Sequence, residues 1–220
     1  MWWPRTPPWY GRNLRRCIGR RAGWRVGANR EAEMSTFIRS FRRLSLLSKY
    51  LHWEEGVMYR LNHVNAIRGL RRIFAVSSRL GNGVAWYTLA ILLAVFGGSS
   101  AWLPMSVMMM SAGLGLAIYA TIKHFTARPR PQVVHDGLVL SVTPLDKYSF
   151  PSGHTLHAVN FAIQITAFAP ALAWLVIPFA LMVALSRMVL GLHYLSDVLV
   201  GAAIGALLAV SSLWLVSALV

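Results

Sequence analysis

A chain of 220 residues is long enough for one ordinary domain, and this one is 56% hydrophobic with 13% charged residues. Soluble domains carry about 25% charged residues, so this composition, with a mean hydropathy of +0.50, argues against a soluble globule and for a membrane protein. The formal charge of +15 is uneven: 17 of the 22 Lys and Arg lie in the first 80 residues beside four acids, leaving five cations and three acids in the apolar remainder.

Residues 1–33 mix Trp, Pro, Gly and Arg without period. Such a segment cannot bury enough apolar surface to offset its ordering entropy. It is expected to be disordered, or to precede a true start at Met34. No cleavable signal peptide is visible in it. Cys17 is the sole cysteine, so the chain can form neither an internal disulfide nor a thiolate metal cluster.

From Met34 to about residue 80 the pattern changes. Phe37, Phe41, Leu44, Leu47 and Leu51 recur at three- and four-residue spacing, with Arg39, Arg42, Arg43 and Lys49 between them. This predicts a basic amphipathic helix lying on a membrane surface. Arg60, Arg68, Arg71 and Arg72 continue the theme, and cations so dense leave no spanning helix before residue 80. Anionic headgroups are the partner expected for this segment, rather than nucleic acid. Gly81-Asn82-Gly83 then breaks the chain.

Five apolar stretches follow: 84–103, 105–122, 154–168, 171–185 and 194–220. Each approaches the roughly 20 residues that a tilted spanning helix needs. The expected fold class is an all-α polytopic membrane helix bundle of about five spans, preceded by basic amphipathic helices. The expected organisation is a tail over 1–33, a surface segment over 34–80 and an embedded domain over 81–220. Gly201 and Gly205 form a small-xxx-small pair, read as a close contact inside the bundle.

Charges inside the apolar part are costly and point to function. Lys123 and Arg130 follow the second span. Ser152, Gly153 and His154 open the third, and Arg187, His193 and Asp197 flank the start of the last. Counting spans sets all three groups on one face of the membrane. Three converging cations suit a multiply charged anion, with forked donors from Arg and a compact charge from Lys. Ser152 can cap the helix that follows, and Gly153 lets its backbone amides approach the same anion. His193 and Asp197, four apart, share a helix face. The carboxylate can fix the ring tautomer and leave the other nitrogen free to attack. His154 is suited to protonating a leaving oxygen.

Three blocks then resemble the type 2 phosphatidic acid phosphatases, relatives of glucose-6-phosphatase and of the vanadium-dependent haloperoxidases. They are Lys-x6-Arg-Pro at Lys123 to Pro131, Pro-Ser-Gly-His at 151–154, and Ser-Arg-x5-His-x3-Asp from Ser186 to Asp197. A second Arg-Pro pair at Arg128 competes for the first block, and the six-residue spacing selects Arg130. The resemblance covers about residues 81–220 and implies a membrane phosphatase acting on a lipid phosphate. It implies that Lys123, Arg130, Arg187, Ser152 and the Gly153 amide hold the phosphate, and that His193, supported by Asp197, attacks phosphorus. His154 would protonate the leaving group and then activate water against the phosphohistidine. No cofactor or metal is implied, in keeping with the lack of an acidic cluster for Mg²⁺.

Undecaprenyl pyrophosphate, phosphatidylglycerophosphate and phosphatidic acid are the candidate substrates. Six-span members begin with a helix that this chain lacks, so the amino terminus and the catalytic face are expected on one side. The 17 amino-terminal cations argue for the cytoplasmic side. Family precedent argues for an outward-facing site in a bacterial plasma membrane, and is given the greater weight. Tyr148 and Phe150 are candidates for the entrance. A haloperoxidase-like enzyme would need vanadate in the same cradle, and those relatives are mainly soluble and larger. A membrane adaptor with a relict site would not need the full set of catalytic types.

Overall fold

The fold follows from where apolar runs stop. A computed structural model describes residues 45–135, 137–139, 142–144 and 146–219. The expectations for 1–33 and for the first residues of the amphipathic segment fall outside the described residues. Eight α-helices are described: α1 (Ser45–His63), α2 (Arg68–Leu80), α3 (Val84–Phe96), α4 (Trp102–Thr126), the single turn α5 (Pro131–Val134), α6 (Gly153–Phe168), α7 (Ala173–Val189) and α8 (Leu195–Leu219). No strand occurs among the described residues, as the all-α expectation requires.

Local sequence explains the breaks. Gly83 takes a φ of 117° between α2 and α3, a conformation that residues with a Cβ rarely adopt. Ala127 closes α4 in the left-handed region, and prolines 129 and 131 then hold the chain extended. Arg130 has φ −75° and ψ 152°, the polyproline-II region. Three residues per turn make side chains two apart diverge, so Arg128 and Arg130 reach different partners.

The span count differs from the five expected. Three helical segments are long and apolar enough to cross a membrane, Ser99–Val134, Pro170–Val189 and Leu195–Ala218, and a fourth is reached if α2 and α3, bent by 53°, form one broken span. The 13 residues of α3 rise about 20 Å and the 16 of α6 about 24 Å. Both fall short of a hydrocarbon core roughly 30 Å thick. In addition, α6 carries buried Asn160 and Gln164. The broken α2–α3 pair also begins at Arg68, where the density of cations argued against any span.

Lys49–Val220 forms one compact unit, so residues 49–80 belong with the helices that follow and no unit boundary falls at residue 80. The core joins α3, α4, α6 and α7 through Trp86, Met108, Phe161, Ile165 and Val183. Trp86 stacks on Phe161 with ring centroids 5.8 Å apart. Ser111, Asn160 and Gln164 bond one another between α4 and α6 at 2.9–3.0 Å, polar groups paired across helices in an apolar solvent, although Gln164 Oε1 has no partner among the described residues. Gly201 and Gly205 set the approach of α8 to α6. A Cβ on either would run into the backbone oxygen of Ser152 or Leu156. The carbonyl of Ser152 rests directly on α8, and this contact fixes where the amino-terminal end of α6 points.

Candidate active site

The amino-terminal end of α6, the 186–197 turn and the extended 127–131 segment meet at one end of the bundle. Ser152 Oγ caps α6, accepting from the Thr155 amide at 3.5 Å, and the Ser152 amide donates to the Asp197 carbonyl at 3.0 Å. A Cβ on Gly153 would press on the Tyr119 ring at 3.3 Å, so a side chain there would crowd the helix end.

His193 lies at the centre, completely buried. Its Nδ1 is 3.4 Å from Asp197 Oδ2, and its Nε2 is 3.3 Å from Arg130 Nη1. Guanidinium nitrogens only donate, so Nε2 presents its lone pair to Arg130 and the ring proton sits on Nδ1, which faces the carboxylate without hydrogen-bonding to it or to any other described residue. Asp197 is itself held from several sides. It accepts from the Tyr194 amide at 2.9 Å, from Ser149 Oγ and from Arg128 Nη1 at 2.7 Å. Burial pushes the proton affinity of His193 well below that of an ordinary imidazole, and Arg187, Arg130 and Lys123 reinforce the shift. The ring is therefore neutral near pH 7.

The cations converge as expected from the sequence, but they are not free. Lys123 Nζ donates to Asp146 Oδ2 at 2.6 Å, and Arg130 Nη2 donates to Asp146 Oδ1. Arg130 Nε reaches the Asp146 carbonyl at 3.0 Å, and its Nη1 reaches the Leu192 carbonyl at 2.7 Å. Burial raises the Asp146 carboxyl, but Lys123 and Arg130 outweigh it and hold the group below its usual range. Arg187 donates from Nη1 to Ser78 Oγ at 2.6 Å, while its buried Nε has no partner among the described residues.

His154 faces a cavity of about 250 Å³ lined by Asn82, Tyr87, Tyr119, Asp146 and His157 among others. Its Nε2 bonds Asn82 Oδ1. Tyr148 and Phe150 do not line this cavity. Tyr148 lies under Lys147, and the Phe150 carbonyl accepts from Thr126 Oγ1 at 3.3 Å.

Several neighbours of the site carry no motif. Glu54 of α1 is 1% exposed. It accepts from the Ser196 amide at 2.6 Å and from Arg128 at 3.0 Å. Arg128 spans Glu54, Asp197 and Ser196 Oγ and lies over the Tyr194 ring. Asn62 ties α1 to the Val139 and Val189 carbonyls. One sequence signal was available: two adjacent acids, Glu54 and Glu55, in a strongly basic segment.

Residues 101–220, which contain every one of the three motif blocks, match the PAP2 superfamily. The chain belongs to that superfamily. As a PAP2 protein it is a phosphatase, hydrolysing phosphoester or pyrophosphate bonds, and a multi-pass membrane protein. An undecaprenyl-diphosphatase of Sulfolobus acidocaldarius is 26% identical over 173 residues, 75% of this chain and 82% of that protein. A decaprenylphosphoryl-5-phosphoribose phosphatase of Mycobacterium tuberculosis is 35% identical over 127 residues, 56% and 67% of the two chains. Among solved structures, LpxE of Aquifex aeolicus superposes with a TM-score of 0.61 at 26% identity, covering 70% of this PAP2 chain and 93% of its own. The PAP2-type phosphatidylglycerolphosphate phosphatase of Bacillus subtilis reaches 0.63 at 20% identity, covering 84% and 95%, a likeness of fold.

Proposed function

We propose that this PAP2 phosphatase hydrolyses a lipid-linked phosphate monoester or pyrophosphate through a covalent phosphohistidine on His193. The observation that carries the reading is the orientation of the ring, with Nδ1 towards Asp197 and the Nε2 lone pair towards the cations. Lys123, Arg130 and Arg187, with Ser152 and the Gly153 amide, hold the non-bridging oxygens and balance their charge in the transition state. Nε2 attacks phosphorus and the bond to the leaving oxygen breaks, that oxygen taking a proton from His154, whose imidazolium the bound phosphate stabilises against burial and the neighbouring cations. His154 then removes a proton from water, whose oxygen displaces His193 and releases inorganic phosphate.

The similarity to two polyprenyl-phosphate enzymes favours a polyprenyl tail over the phosphatidylglycerophosphate and phosphatidic acid alternatives. Residues 34–80 serve as a surface that meets anionic headgroups. Exposed Leu70, Ile73, Val76 and Leu80 on α2 supply an apolar side to it. The site faces outward from a bacterial plasma membrane.

The test is phosphate release from detergent-dispersed lipid phosphates. Turnover is expected to be unaffected by EDTA and blocked by vanadate. His193→Ala should lower kcat by roughly a thousandfold or more, as loss of a nucleophile does. Near-normal turnover in a folded His193→Ala variant overturns the mechanism.

A further inference from the structure

Asp146 lies between the cations that the phosphate needs. Its two carboxylate oxygens take Lys123 and Arg130 separately, and its main-chain oxygen takes Arg130 Nε. Arg130 has five N–H donors. Four of them are engaged by Asp146, Leu192 and His193, so little of the fork remains for a substrate. The carboxylate is also the accessible member of this group. Its side chain is 39% exposed, against 8% for Lys123 and 2% for Arg130, and it lines the cavity on which His154 opens. Asp146 stands in the segment between α5 and α6, outside regular structure, where the backbone is less constrained than in a helix.

We propose that Asp146 is a specificity-determining residue, an internal competing anion that sets a charge threshold for entry to the cradle. The proposal rests on the reading that Lys123 and Arg130 bind the scissile phosphate. A bilayer is crowded with phosphodiester headgroups, which bear one negative charge on phosphorus. Terminal monoesters and pyrophosphates bear more, because the second ionisation of a monoester falls near pH 6. A diester offers the cations no more charge than Asp146 already supplies, so it gains nothing by displacing the carboxylate. A terminal phosphate brings the additional charge and a further acceptor oxygen, and takes Lys123 and Arg130 while the Asp146 carboxylate swings to water. The abundant diesters are thus excluded without a dedicated steric block.

The experiment uses the full-length enzyme in detergent micelles. It compares KM for a lipid phosphate monoester with the competitive inhibition constant of diethyl phosphate, a monoanionic diester. Asp146→Asn keeps the shape and removes the charge. It should tighten diethyl phosphate about tenfold, the scale of one charge-assisted hydrogen bond no longer competed for. KM should fall as well, since the monoester also displaces the carboxylate in the wild type. Asp146→Ser should move both constants in the same direction. An unchanged diester constant, or weaker binding of both ligands, overturns the proposal. Loss of folded protein in both variants does so too, since Asp146 would then serve to pin the cations. An inhibition constant reports on occupancy of the cations and not on attack by His193. Failure here therefore leaves the nucleophile to be judged by His193→Ala, and failure there leaves the threshold standing.

Discussion

His193 is buried beside Arg130, Arg187 and Lys123, which together work against its protonation and outweigh the opposing pull of Asp146. Burial acts first, then the three cations. A group whose charged form is disfavoured loses its proton at lower pH than the free side chain, so the attacking form persists below the usual value of about 6.5. Removing one cation should restore part of that proton affinity. In Lys123→Met the residual kcat/KM should show its acid limb moved upward, still short of the ordinary imidazole value because burial remains. The substrate ionises identically in both measurements, so its own titration cancels from the comparison. An acid limb that stays in place would mean that Lys123 does not act on His193 electrostatically. At this scale the sequence was informative wherever partners are local. His193 and Asp197 are four residues apart, and Ser152 caps its own helix, so spacing predicted that both pairs meet, although His193 lies in the turn before α8 and does not share a helix face with Asp197. Asp146 escaped notice because its partners are joined to it by irregular chain, which leaves no period to read.

Helix α1 shows what spacing does not reveal. Glu54 and Ser196 are separated by 142 positions, and Arg187 meets Ser78 across 109, so neither contact leaves a local pattern. The basic amphipathic character of residues 34–80 was visible, yet the acid that faces inward was hidden among the cations. Glu54 satisfies the Ser196 amide in the first turn of α8, an end that intrahelical bonding leaves open. It also balances Arg128, which holds Asp197. Breaking such a buried pair by removing one partner costs about 3–5 kcal/mol. Glu54→Ala should therefore lower the Tm in detergent by several degrees and reduce specific activity, although the family match begins at residue 101. Glu54→Gln, which retains an acceptor for the Ser196 amide, should recover part of the Tm. A thermal-shift series on the two variants decides this, and an unchanged Tm in Glu54→Ala would show that α1 contributes nothing to the catalytic end. The short helices α3 and α6 make the complementary point. Apolar stretches looked like full-length spans in sequence, but Gly97-Gly98 ends α3 after 13 residues, and α6 connects the two ends of the bundle with 16 residues and buried amides.

For the whole molecule, charge and catalytic side point in opposite directions. Seventeen cations before residue 81 favour a cytoplasmic location for that segment, whereas the proposed site faces outward. Span counting tied the two ends together through an assumed number of crossings. The structure ties them by contact, because Glu54, Asn62 and Asn65 of the 49–66 stretch bond directly to the Arg128, Val139, Val189 and Ser196 region. The two must therefore share a side whether the chain crosses four times or five. Trp53, exposed beside Glu54, and Lys147, exposed beside Asp146, report on the two halves of that link. With Cys17 replaced by Ser, Trp53→Cys and Lys147→Cys should each react with a membrane-impermeant maleimide in intact cells. Reaction of both only after lysis overturns the outward orientation and leaves the packing intact, making the amino-terminal charge the stronger topological signal. Reaction of one outside and the other only after lysis overturns the packing of α1 against the catalytic loops, and with it the argument that residues 49–80 belong to the phosphatase.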